Sequence, residues 1–237
     1  MFTFIENYWM FLVLTIPPLL FGVWAQFRVQ RTFAKQAQTR LNSGYTGAEA
    51  ARRILDRSGL QNVRVEITQG FLSDHYDPRD KALRLSPDVY NGANAAAVGV
   101  AAHEAGHALQ DKQNYVFLKW RTAIVPTVQI GSILGPLIFM AGMLALPLVG
   151  SGLAWVGVIL FGATALFAIV TLPVEFDASA RAQQLLAANG IVTPMEMNGV
   201  SQVLNAAALT YVAAAAQGIA TLMYYVLALT GMQTSEE

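Results

Sequence analysis

Residues 122–174 read TAIVPTVQIGSILGPLIFMAGMLALPLVGSGLAWVGVILFGATALFAIVTLPV, 53 consecutive residues without Asp, Glu, Lys or Arg. A helix needs about 20 mostly apolar residues to cross the hydrocarbon core of a bilayer. The stretch is therefore long enough for two spans, with Leu146-Pro147-Leu148-Val149-Gly150-Ser151-Gly152 as the natural turn between them. Two further uncharged stretches lie outward from it, residues 7–27 (21 residues) and 197–235 (39 residues). The first holds one span, from Phe4 to Ala25, interrupted by Pro17-Pro18. The last starts polar with Asn198, Ser201, Gln202 and Asn205, turns apolar from Ala206 to Leu229, and holds one more. The predicted organisation is a transmembrane helix at 4–27, a polar segment at 28–121, a transmembrane hairpin at 122–172, a helical segment at 173–205 and a transmembrane helix at 206–230.

Composition agrees. Only 13% of the 237 residues are charged, against about 25% in a soluble domain. With 15 basic and 15 acidic residues there is no basic surplus for a nucleic acid. The absence of Cys excludes a disulfide scaffold, a thiolate metal site and a Cys nucleophile.

The charges are sided. Fourteen of the fifteen Lys and Arg lie between Arg28 and Arg121, and the fifteenth is Arg181. Four spans place both segments on one face, and the bias of basic residues toward the cytoplasm makes that face cytoplasmic. Glu6, Glu236 and Glu237 then face out. Glu6 is the only charge before Arg28, which favours an uncleaved signal anchor over a cleaved signal peptide. The expected location is the plasma (inner) membrane, multi-pass.

Within 28–121, the run from Arg28 to Arg40 suits acidic headgroups. Thr46-Gly47-Ala48-Glu49 is a capping box opening an amphipathic helix that ends near Ser58-Gly59. Val63, Val65 and Ile67 alternate with Arg64 and Glu66 as a half-buried strand, and Ala82 to Ser86 reads as a second. Asp77-Pro78-Arg79-Asp80 is a turn between them, and a helical pattern runs from about Asn91 to Asp111.

That last helix carries His103-Glu104-Ala105-Gly106-His107. Two His at i and i+4 stand about 40° apart on a helix, so both imidazoles can reach one ion. Glu104, about 100° round from His103, can reach a water on the ion without ligating it. A catalytic zinc keeps three protein ligands and one open position, and lowers the pKa of its water toward about 7. Glu104 can take that proton and later return it to a leaving amine. The third ligand must come from elsewhere. His75 is the remaining His, and Glu175 and Asp177 follow at once after the 53-residue stretch. These two acids point about 200° apart on a helix, so only one can face the His pair.

His103-Glu104-Ala105-Gly106-His107 followed by Glu175-Phe176-Asp177-Ala178-Ser179 resembles the integral-membrane zinc peptidases of the HtpX and CAAX prenyl protease superfamily. Asp74-His75-Tyr76-Asp77-Pro78, Leu83-Arg84-Leu85-Ser86-Pro87 and the short chain bring the resemblance closer to the bacterial YugP-type family of neutral zinc metallopeptidases, over essentially the whole chain. It implies a mainly α integral membrane protein with four transmembrane helices and a small α+β cytoplasmic, gluzincin-like metalloprotease domain. It also implies one Zn2+ held by His103, His107 and Glu175, with Glu104 as the catalytic base. Ser179 stands where the wider superfamily has an Asp hydrogen-bonded to a ligand His; a hydroxyl orients an imidazole but supplies no charge.

Other residues have weaker assignments. His75 either donates to the oxyanion or hydrogen-bonds within its turn. Arg181 pairs with Asp177 or Glu175. Residues 82–86 are expected to form an edge strand that takes up an extended substrate, as in related peptidases. Gly131-Ser132-Ile133-Leu134-Gly135 suits a close helix–helix contact.

The expected activity is zinc-dependent endopeptidase action on membrane or membrane-proximal proteins at the cytoplasmic face. The partners are then protein or peptide substrates and the lipid bilayer, with a homo-oligomer or a regulatory membrane partner left open. Two alternatives stand beside it. A site-2-type intramembrane protease needs its motif inside a span, whereas the uncharged run here covers only residues 89–103. A non-catalytic membrane adaptor needs a closed structural site, with His75 or Asp177 as fourth ligand.

Overall fold

The computed structural model describes residues 2–70 and 73–233, so Glu236 and Glu237, and the side chain of Glu6, lie outside the described residues. The elements are α1 (Phe2–Gln36), α2 (Gly47–Arg57), β1 (Arg64–Ile67), β2 (His75–Asp77), β3 (Ala82–Leu85), α3 (Pro87–Asn91), α4 (Ala95–Lys112), α5 (Val116–Leu144), α6 (Leu146–Val149), α7 (Gly152–Ala188) and α8 (Pro194–Gln233). Among the described residues four helices are long and apolar enough to cross a membrane: Tyr8–Gln36, Val116–Leu144, Gly152–Ala188 and Pro194–Gly231. Pro17 and Pro18 do not interrupt the first, contrary to the sequence expectation; α1 runs through both. Helices built for an apolar solvent tolerate Pro, because neighbouring groups re-satisfy the freed carbonyls.

The chain divides into two compact units. One comprises Met1–Trp24, Trp120–Leu172 and Thr210–Glu237. Here α5 and α7 touch backbone to backbone: a Cβ on Gly131 would collide with the Leu160 carbonyl, and one on Gly157 with the Phe139 amide. In a lipid solvent, close approach through small residues supplies the packing that hydrophobic burial cannot. The turn uses Gly150 at φ +69°, a left-handed value that suits glycine. Phe139 stacks on Tyr225 at 4.1 Å between ring centroids. The hydroxyls of Thr15, Thr171 and Thr230 donate back to the carbonyls of Phe11, Phe167 and Val226 four residues earlier, which satisfies these donors within their own helices.

The other unit comprises Ala25–Lys119 and Pro173–Leu209. The Thr46–Glu49 box is formed, each side chain bonding the other's backbone N–H. One face of α2 buries Ala50, Ala51, Ile54 and Leu55 in a core shared with Val63, Leu83, Leu85, Val89, Val98, Leu186, Ile191 and Val200. The sheet has the order β1-β3-β2, with β1 parallel and β2 antiparallel to β3. The strand at 82–86 is therefore central, not an edge as expected, because His75–Asp77 forms a short strand that occupies its outer side. The expectation missed it because three residues carry no readable alternation. Arg84 on β3 ties the strands of the sheet by pairing with Glu66 of β1, Asp77 of β2 and Asp80 of the turn that follows β2.

The helix expected from about Asn91 to Asp111 is present but begins at Ala95. Pro87–Asn91 forms one turn of its own, and α4 begins anew where the Asn94 side chain accepts from the Ala97 N–H at 2.9 Å. Ala has the highest helix propensity, and here it also keeps α4 thin enough to be buried on nearly all sides. Gly99 faces Val200, and Gly106 faces the backbone of Ala178. The chain then turns at Gly190, φ +64°. A second box, Thr193 with Glu196, opens α8, and Glu196 also accepts from the Asn42 N–H at 2.7 Å.

Candidate metal centre

His103 and His107 stand one turn apart on α4, with ring centroids 4.7 Å apart and planes at 84°. Opposite them, α7 presents Glu175, of which only 2% is exposed. Its Oε2 lies 3.1 Å from His103 Nε2 and 3.6 Å from His107 Nε2. One ligand atom from each of the three residues falls within 4.8 Å of the others.

These distances suit a zinc ion. Four ligands at the usual zinc–nitrogen and zinc–oxygen lengths stand about 3.3 Å apart along a tetrahedron's edge. Both imidazoles direct Nε2 inward and have Nδ1 engaged on the far side, His103 with Ser179 Oγ at 3.1 Å and His107 with Gln110 Oε1 at 2.9 Å. Two imidazoles and one carboxylate are a donor set that zinc accepts with a coordination position to spare. The residues present fit the ion.

Glu104 follows His103 and is 8% exposed. Its charge is felt at both His107 and Asp74. Burial works against a charged His107, but the hydrogen bond with Glu175 and the charges of Glu104 and Glu175 outweigh it and raise its pKa above the ordinary value.

The remaining predicted residues divide. Ser179 touches His103. Asp177 does not join the His pair; it accepts from Gln110 Nε2 at 2.8 Å and pairs with Arg181. Arg181 thus takes Asp177 and not Glu175, and also donates to Gln113 Oε1 at 2.6 Å. His75 is exposed at the start of β2, with its Nδ1 2.8 Å from the Ser73 carbonyl oxygen rather than bonded to a group in the Asp77–Asp80 turn, and it is not among the three converging residues.

Two residues were not foreseen. Gln110 is fully buried against His107, and its signal was available: residues 103, 107 and 110 share one helical face, and 110 is polar in an Ala-rich helix. Asp74 accepts from the Ser86 N–H at 2.7 Å and from its hydroxyl, a link between a loop and a strand end that no local pattern announces.

Residues 11–230 match a family model described as "Putative neutral zinc metallopeptidase". The chain is 47% identical over 220 residues to a protein of Bacillus subtilis (strain 168) described as "Putative membrane protease YugP", covering 92% of this chain and 96% of that one. No solved structure matches.

Proposed function

Because the chain belongs to the neutral zinc metallopeptidase family, we propose that it is a membrane-bound endopeptidase that hydrolyses peptide bonds of membrane or membrane-proximal proteins at the cytoplasmic face. The observation that carries this reading is the convergence of His103, His107 and Glu175 with Glu104 buried next to them.

His103, His107 and Glu175 would hold the ion, and Ser179 and Gln110 orient the two rings. Bound zinc supplies Lewis-acid polarisation of a peptide carbonyl and acidification of a water. Glu104 accepts a proton from the attacking water as the carbon–oxygen bond forms. It returns that proton to the amide nitrogen as the carbon–nitrogen bond breaks, releasing a carboxylic acid and an amine. Among the described strands β2 pairs only with β3, so its outer edge can take an extended peptide as a further strand. His103 lies on α4, which is not among the four candidate spans, and this favours action beside the membrane over action within it. The cytoplasmic assignment rests on the basic residues gathered in 28–121 and at Arg181.

The test is full-length protein in detergent micelles with a casein or fluorogenic peptide substrate. Glu104→Gln is expected to retain zinc and lose cleavage by a factor of about a hundred to ten thousand. Retained cleavage overturns the reading.

A further inference from the structure

Gln110 is completely buried, and its amide is engaged at both ends. Nε2 donates to the Val174 carbonyl at 2.8 Å and to Asp177 Oδ2 at 2.8 Å, while Oε1 lies 2.9 Å from His107 Nδ1. Both partners of Nε2 are oxygens that only accept. Turning the amide over would set Oε1 against those two oxygens, so the surroundings allow one sense of the amide. With Oε1 facing it, Nδ1 of His107 must carry a hydrogen, so Nε2, the nitrogen facing Glu175, is the one that would present a lone pair to an ion. Asp177 is itself held by Arg181, one turn further along α7. His103 has no such constraint: the Ser179 hydroxyl both donates and accepts, and follows whichever tautomer the ring adopts.

We propose that Gln110 is a positioning residue for the metal centre and that Asp177 acts through it. The carboxylate fixes the sense of the amide, and the amide fixes the tautomer and tilt of His107. The inference rests on the reading of His103, His107 and Glu175 as the metal ligands. It gives Asp177, which is no ligand, a defined part in the centre. It also makes the two imidazoles unequal, one locked and one adaptable.

The test is cobalt(II) titration of the full-length protein in micelles, read by visible d–d absorption and by competition with a chelator. Gln110→Met keeps the side-chain length without the amide, and is expected to lower cobalt affinity about tenfold to a hundredfold and to alter the d–d bands. Gln110→Glu alone places a carboxylate against Asp177 and is also expected to bind weakly. Adding Asp177→Asn to it is expected to recover part of the affinity, because the introduced amide donates to the introduced carboxylate and His107 keeps an acceptor, while the Val174 carbonyl still faces an oxygen. A purely structural part for Gln110 would shift the melting temperature of metal-free protein but leave affinity and spectrum unchanged. Unchanged affinity and spectrum in Gln110→Met overturns the inference. If that variant does not fold, no gain from adding Asp177→Asn to Gln110→Glu overturns it. Wild-type protein that takes up no cobalt overturns the ligand reading itself, and is distinguished by that result.

Discussion

Gly106 and Ala178 meet backbone to backbone: a Cβ built on Gly106 would stand 2.7 Å from the Ala178 carbonyl oxygen. Gly106 precedes His107, and Ala178 lies between Glu175 and Ser179, so a close approach of α4 and α7 falls at the level of the candidate ligands. Gly106→Ala would ordinarily favour a helix by about 0.5–1 kcal/mol. Here the expected result is net destabilisation of about 1–3 kcal/mol, as in overpacked interiors, together with weaker metal uptake. Thermal unfolding and metal content of the purified variant check both parts.

Zinc is expected to stabilise the folded protein. At a free concentration a hundred times its dissociation constant, a ligand specific for the native state adds about 2.7 kcal/mol. Stripping with a chelator should lower the melting temperature, and resupplying zinc should restore it. Glu175→Ala should abolish that zinc-dependent increment, because it removes the buried carboxylate that faces both imidazoles. The readout is the melting temperature with and without zinc for both proteins.

Asp74 supplies a pH-dependent prediction. Burial pushes its carboxyl up, outweighing its bonds with the Ser86 N–H and hydroxyl, and the charge of Glu104 adds to the rise. An acid with a higher pKa folded than unfolded penalises the native state when ionised. The penalty is present above the folded pKa and is relieved as pH falls through it toward the unfolded value of about 3.9. Asp74→Asn should therefore melt higher than wild type at pH 7, and the difference should shrink on acidification. Melting curves of metal-free protein across that range test it.

The hairpin unit depends on its glycines. Gly131→Val places two methyl groups where the Leu160 carbonyl already sits. The expected cost is about 1–3 kcal/mol, seen as a reduced yield of folded protein from membranes. Ser132→Ala, one position along on an exposed part of α5, should express normally.

What could be read beforehand follows the range over which each signal acts. The four long helices were visible because the absence of charge over 20 or more residues is a local property. The Thr46–Glu49 box was visible because its partners stand three apart. The His pair was visible because one helical turn separates its members. The order β1-β3-β2 was not, since which strand lies in the middle is decided by the core beneath Leu83 and Leu85 and by a three-residue strand. The Gln110–Asp177 bond joins residues 67 positions apart, and helical geometry placed Asp177 away from the His pair without showing what it would meet. Pro17-Pro18 misled because its usual effect belongs to helices surrounded by water.

The spacing of the three converging residues sets an order of events during synthesis. His107 is added to the growing chain before α5, α6 and α7, and Glu175 is added only after α5, α6 and most of α7 have been made. A nascent chain thus carries the His pair for some time without the carboxylate that faces it. The candidate metal centre comes together only once the hairpin has been laid down and the part of α7 that bears Glu175 has followed it. A chain arrested anywhere before residue 175 lacks the Glu175 carboxylate, and with it the third of the three converging groups.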